Sequence, residues 1–219
     1  EVRYYFIIIG ISTAIIFFNI LNLFSNAFDA LRHATFQVGS IITTTGFSSV
    51  DFDIWPETSK IILVLLMFIG ACSGSTGGGI KVSRIMILIK TVVKELNSYI
   101  HPRSVRKIKI DGKPVEHDVV RATNVYFITF MVVFAFSVFA ISFENIGLVT
   151  SFTAVAATIN NIGPGLELVG PTQNFSVFGP FSKYVLMFDM LAGRLELFPL
   201  LILFHPSALK DMVKKSNNY

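Results

Sequence analysis

The sequence predicts an all-α membrane protein made of two parallel repeats of span, pore helix, filter loop and span. Three observations carry that prediction. The chain is 53% hydrophobic and only 15% charged, against about 25% charged residues in ordinary soluble domains. Four long apolar stretches recur along its 219 residues. Between them, two shorter apolar segments each lead into a glycine-containing strip. The mean hydropathy of +0.65 agrees. This composition excludes a disordered chain, a coiled coil, a collagen-like repeat and a disulfide scaffold, and it argues against a water-soluble enzyme. The single cysteine, Cys72, cannot form an internal disulfide and says nothing of redox compartment.

The first span is expected over residues 4–24, which carry no charge. A signal peptide is a poor reading of it, because no small-residue cleavage site follows and three further apolar stretches do. The second span is expected over 60–96, and it is interrupted. The run IILVLLMFIGA at 61–71 is too short to cross, and one unbroken helix from 61 to 96 would reach roughly 54 Å at 1.5 Å per residue. That exceeds a hydrocarbon core of about 30 Å. Three consecutive glycines at 77–79, each costing about 1 kcal/mol relative to Ala, place the break at 72–79. The third span is expected over 118–143 and the fourth over 181–205, where Asp189, Arg194 and Glu196 interrupt the otherwise apolar run 184–204.

Orientation follows from the basic residues. Fourteen of the 18 fall on one side: Arg3, ten between Lys81 and Arg121, and Lys210, Lys214 and Lys215. Both termini and the 101–117 linker are therefore expected in the cytoplasm, with a tail over 206–219. Topology explains the basic linker better than nucleic-acid binding does, although a docked regulatory subunit also suits it. The opposite side is acidic, with Asp29, Asp51, Asp53, Glu57, Glu144 and Glu167 against Arg32, Lys60 and Lys183. An acidic vestibule raises the local cation concentration.

The outer connections contain the second level of pattern. The stretches AFDALRHATFQVGSII and LVTSFTAVAAT are too short to span, and predict helices over 27–41 and 148–158. Each is followed at once by a strip rich in Thr, Asn and Gly. Non-helical backbone at membrane depth is tolerated only where protein or a wet cavity surrounds it. The unit thus occurs twice, at 1–100 and 118–205, with Gly46 and Gly163 as matching landmarks. Both copies run outward, dip and return, so they are parallel rather than inverted; inverted repeats would point to alternating access. A dehydrated alkali cation needs several oxygens at once, and successive carbonyls can supply them where glycine permits positive φ. The strips therefore predict a cation filter at Thr43, Thr44, Thr45, Gly46 and Phe47 and at Asn160, Asn161, Ile162, Gly163 and Pro164. An ordinary outer turn is the bland alternative for either strip alone.

The glycine break predicts a flexible loop obstructing the path: Cys72, Ser73, Gly74, Ser75, Thr76, Gly77, Gly78 and Gly79. It is not a phosphate loop, because Ile80 separates Gly79 from Lys81 and no βαβ context surrounds it. Arg194 lies near the middle of the fourth span, where a charge is a functional candidate by default. Helical geometry puts neither Asp189 nor Glu196 on its face. It is expected to meet loop carbonyls or a wet cavity and to act as a barrier to cations; a structural ion pair with another helix is the competing reading.

These residues resemble the TrkH/KtrB family of potassium-uptake proteins, within the Trk/Ktr/HKT superfamily. The resemblance rests on GACSGSTGGGIKVSR at 70–84, TTTGF at 43–47, NNIGPG at 160–165 and AGRLE at 192–196. It implies potassium-channel-like pore domains, four units around one pore, dimeric subunits, a cytoplasmic nucleotide-binding ring and residence in the bacterial inner membrane. It also implies that the glycine run is an intramembrane gating loop and Arg194 the pore arginine, with K⁺ as the transported ion and no covalent cofactor. This chain carries two units, resembling the third and fourth. A closed pore needs two more, from an N-terminal half or a second copy, and the start at Glu1 favours a fragment. An ion-coupled secondary cation transporter with a broken-helix site is the alternative. A membrane enzyme is disfavoured, since His33, His101, His117 and His205 show no metal-ligand spacing and no catalytic triad order stands out.

Overall fold

In a computed structural model, residues 1–75, 77–101, 108–110 and 112–194 are described. The described chain is almost entirely helical. Helix α1 (Val2–Ile20) ends in a 3₁₀ turn and is followed by α2 (Ala27–Ile42), α3 (Glu57–Phe68) and α4 (Val82–Ile100). A two-residue hairpin, β1 (Lys109–Ile110) with β2 (Lys113–Pro114), precedes α5 (His117–Ser142), α6 (Leu148–Ile159) and α7 (Pro180–Arg194). The linker thus holds an antiparallel hairpin that apolar patterning does not announce. It turns on Gly112 at φ +81° and is fastened to α4 by Lys90 Nζ donating to the Lys109 carbonyl at 2.5 Å. The later part of the fourth predicted span and the tail lie outside the described residues.

Two of the described helices, α1 with its terminal turn and α5, are long and apolar enough to cross a bilayer. Their exposed faces carry large apolar side chains such as Phe6, Phe18, Phe136 and Phe139. Such a face suits hydrocarbon rather than water. Helix α2 starts where the Asn26 side chain accepts the Phe28 N–H at 3.1 Å, with Asp29 in its first turn. Both features favour a helix N-terminus.

Helix α3 stops at Phe68 and α4 starts at Val82, so the break is wider than 72–79. Its two ends are joined. Ile69 and Ile80 form a parallel bridge, the Gly70 N–H donates to the Ile80 carbonyl at 2.9 Å, and the Ile80 N–H donates to the Phe68 carbonyl at 3.2 Å. Gly70 is needed there, because a Cβ would overlap the Gly78 carbonyl oxygen.

The core runs between the two sets of helices. Phe68 of α3 packs edge-on to Phe134 of α5 at 5.3 Å between ring centroids, and Phe134 meets Phe152 of α6 at 5.0 Å. Such pairs add about 0.5–1.5 kcal/mol beyond area burial. Ala154, Val155, Ala156, Ala157 and Ile159 bury the later half of α6, and small side chains let its neighbours approach closely. The connections after α2 and after α6 are tied together: Asp53 Oδ1 accepts the Glu167 N–H at 3.0 Å, and Thr172 donates to Asp51 at 3.2 Å.

Glu144, just beyond α5, holds the start of α7. It accepts the Ser182 hydroxyl at 2.6 Å and the Gly179 N–H at 2.9 Å. The Ser182 bond, then the Gly179 bond, keep its carboxyl below the ordinary value of 4.5. A lowered folded value means stabilisation that is complete above the unfolded value and is lost as the pH falls through the folded one. Thermal melting in detergent between about pH 3 and 6 should show this acid-sensitive component. Glu144→Gln should lower the melting temperature near neutral pH and remove the component; an unchanged pH profile would exclude Glu144 as its source.

Candidate functional site

Each strip leaves a short helix in the same way. The Thr43, Thr44 and Thr45 N–H groups donate to the carbonyls of Gly39, Ile41 and Ser40 at 3.1, 3.0 and 2.9 Å. The Asn160, Asn161 and Ile162 N–H groups donate to Ala156, Thr158 and Ala157 at 3.3, 3.0 and 2.8 Å. The left-handed residues also correspond: Thr44 at φ +55° and Gly46 at +79° in the first strip, Asn161 at +55° and Gly163 at +119° in the second. With the first amide N–H groups turned back onto the helix end, each strip leaves its helix through a left-handed turn and needs no sheet partner.

Side chains reinforce this. In the first strip Thr43 Oγ1 donates to the Gly39 carbonyl at 2.7 Å and lies 2.8 Å from Thr45 Oγ1, and Ser40 donates to the Phe47 carbonyl at 2.5 Å. In the second, Asn160 Nδ2 donates to the Ala156 carbonyl at 2.8 Å and Asn161 Nδ2 to the Met190 carbonyl of α7 at 3.1 Å. Asn160 is fully buried, and its Oδ1 has no hydrogen-bond partner among the described residues.

The strips touch. A Cβ at Gly46 would overlap the Ile162 carbonyl, and its next neighbour would be the Pro164 ring at 3.4 Å. The glycine loop lies against both. The Gly78 N–H donates to Thr44 Oγ1 at 3.3 Å, while a Cβ at Gly78 would overlap the Asn160 carbonyl. Gly79, at φ +75°, lies beside Asn160 Oδ1. Thr76 lies outside the described residues. Cys72 is half-buried and unbonded to any other cysteine.

Two side chains absent from the sequence-based candidates hold this loop. Lys81 Nζ donates to the carbonyls of Ser75 at 2.7 Å and Gly77 at 2.5 Å. Glu1 accepts the Ser73 N–H at 2.7 Å and its hydroxyl at 3.1 Å. The basic residue closing the motif at position 81 is a readable signal; the Glu1 contact, between distant segments, is not. Arg194 closes the described part of α7 with an exposed side chain. Its neighbour Gly193 abuts the second strip: a Cβ there would overlap the Ile159 carbonyl and stand 2.7 Å from Asn161 Nδ2. Glu196 lies outside the described residues.

Among the described residues no three His, Cys, Asp or Glu side chains gather as a metal site. The oxygens at the junction of strips and loop are carbonyls, hydroxyls and amides. Such neutral donors can replace the water around a weakly hydrated cation without binding it too tightly to leave.

The helices, the lipid-suited faces and this neutral junction of three irregular segments define an all-α integral membrane protein. The TrkH family, cation transport proteins, matches residues 6–214, and the chain belongs to it. It is 38% identical over 206 residues to the Trk system potassium uptake protein TrkH of Escherichia coli K12, covering 94% of this chain and 42% of that protein. It is 40% identical over 184 residues to the TrkH of Vibrio parahaemolyticus, covering 84% and 38%. A crystal structure of the potassium transporter TrkH from Vibrio parahaemolyticus superposes with a TM-score of 0.86 at 38% identity, covering 94% of this chain and 44% of that one. The chain therefore spans less than half the length of these relatives. Its family consists of transporters rather than enzymes.

The packing of loop and helix on the strips is testable. Gly78→Ala and Gly193→Ala each force a methyl group into a backbone carbonyl, and should destabilise the protein by about 1–3 kcal/mol. Gly74 has open space around it, so Gly74→Ala should stay within about 0.5 kcal/mol. Denaturation in detergent compares the three; equal stabilities would refute the close approach.

Proposed function

We propose that this chain supplies part of a pathway for passive uptake of K⁺, with Na⁺ as a second permeant ion, across the bacterial inner membrane. The filter is made of residues 43–47 and 160–164. The observation that carries this reading is the contact between the two strips at Gly46 and Ile162, with left-handed residues at corresponding places in both. Two strips of this kind, side by side, can turn several carbonyls toward one axis.

The loop at 72–79 is the gate in this reading. Its seat against Thr44 and Asn160 supports the role, because a loop in that position narrows any path leaving the strips. Arg194 adds an electrostatic barrier to cations. The two units stand at 1–100 and 118–205, joined by the basic linker, with both termini in the cytoplasm. They line half of a ring whose other half comes from two further units. The whole assembly is a dimer regulated by a cytoplasmic nucleotide-binding ring. Related proteins named as potassium uptake proteins and a potassium transporter support K⁺ as the ion.

Ion flux into liposomes containing this chain together with the two further units that complete the ring tests the proposal. Gly46→Ser and Gly163→Ser should each reduce the preference for K⁺ over Na⁺, since positive φ becomes strained and the carbonyls turn. Unchanged ion ratios in both variants would defeat the filter assignment. Deleting residues 77–79, or Arg194→Ala, should raise flux at normal expression; lower flux would make these elements structural. Saturable, proton-coupled flux without channel-like conductance would replace the passive mechanism by ion-coupled transport.

A further inference from the structure

Helices α5 and α7 are joined by two hydrogen bonds of the same chemistry, arranged reciprocally. Ser137 on α5 donates to Asp189 Oδ1 on α7 at 2.7 Å. Ser182 on α7 donates to Glu144 Oε1, beyond the end of α5, at 2.6 Å. Each partner supplies one serine and one carboxylate, seven residues apart, which is close to two helical turns. Pairing 137 with 189 and 144 with 182 defines an antiparallel register.

The two clasps differ in setting. The Glu144 clasp is at the outer end and half-buried. The Asp189 clasp lies about 10 Å further along the helices, at 1.5 Å per residue. It is sealed, with Ser137 2% and Asp189 0% exposed. Asp189 Oδ2 has no hydrogen-bond partner among the described residues. A carboxyl group within a membrane span demands a reason. Stability alone is a weak one, because apolar side chains of similar volume commonly stabilise a buried site as well or better.

The other contacts of α7 suggest the reason. Met190, the next residue, accepts the Asn161 side-chain amide through its carbonyl at 3.1 Å. One turn beyond Asp189, Gly193 lies so close to the Ile159 carbonyl that no Cβ fits between them. The backbone of α7 therefore touches the second strip directly. A shift or rotation of α7 passes to the Ile159 carbonyl at the head of the strip through backbone contact at Gly193, and to Asn161 through the side-chain amide bonded to Met190.

We infer that Asp189 is a positioning residue for ion selection: by accepting the Ser137 hydroxyl it sets the register of α7, and through Met190 and Gly193 it sets the shape of the 160–164 strip. Apolar helix faces offer no preferred axial position against each other beyond packing, whereas a hydrogen bond between two defined positions selects one. The inference rests on the reading of that strip as a cation filter.

The test is the K⁺/Na⁺ permeability ratio of the complete assembly in liposomes, this chain with the two further units, measured for Ser137→Ala, Asp189→Ala, the double variant and Asp189→Asn. Ser137→Ala and Asp189→Ala should each lower the ratio about two- to tenfold, the scale of one net hydrogen bond. The double variant should be no worse than the worse single one, as expected of one shared interaction. Asp189→Asn keeps an accepting oxygen and should retain the preference. An unchanged ratio in Ser137→Ala, or an Asp189→Asn as impaired as Asp189→Ala, overturns the inference, as does a lowered melting temperature with the ratio intact. Should Asp189→Ala fail to accumulate, Ser137→Ala and Asp189→Asn decide the matter. Gly163→Ser separates the two levels: if it lowers the ratio and Ser137→Ala does not, only the positioning role falls. If neither lowers it, the filter reading falls and the inference with it.

Discussion

The structure depends on one constraint: peptide groups that are not helical must still find partners where water is scarce. Three such segments occur here, the strips at 43–47 and 160–164 and the loop between α3 and α4. Each strip folds its N–H groups back onto the helix it leaves, which frees its carbonyls. Backbone then serves as their wall: Gly46 of the first strip lies on the Ile162 carbonyl of the second, Gly78 of the loop on the Asn160 carbonyl, and Gly193 of α7 on the Ile159 carbonyl at the end of α6. Glycine is required at these places because backbone meets backbone.

The surroundings follow from that requirement. Helices α2 and α6 must end at the junction, so both are short, and α6 is lined with alanine so that α5 and α7 can close around it. Hydroxyl and amide side chains, rather than charged ones, stitch the strips to their helices. Lys81 grips the loop from its own side chain's length away, and Asp51 and Asp53 tie the connection after α2 to the one after α6. This division leaves the junction rich in neutral oxygen, the donor set on which the proposed function rests.

Much of the helical architecture is legible in the sequence, because hydrocarbon demands long runs of apolar side chains and such runs are contiguous. The apolar stretches beginning near positions 27 and 148 read as short helices, and α2 and α6 cover Ala27–Ile42 and Leu148–Ile159. The glycine run reads as a break for an equally local reason, although the break extends to Ile69 and Lys81 because the flanking residues bridge to each other. Contacts between distant segments are another matter. Nothing local ties Ser137 to Asp189, and the sequence alone offers Asp189 only as an unexplained charge in an apolar run. The seven-residue spacing in both partners is a signal, but one that acquires meaning only when the helices are known to be antiparallel. The hairpin at 109–114 is too short to leave an alternating pattern.

The bridge between Ile69 and Ile80 has a mechanical consequence. Fastened at its neck, the intervening segment behaves as a small closed ring hung from a continuous rod, since α3 and α4 are coupled through that neck. Its ordering entropy depends on the ring's own few residues and not on the long helices to either side. Swinging the ring therefore requires no bending of the rod; what it must break is its own seat, the Gly78 bond to Thr44 and the Ser73 bonds to Glu1.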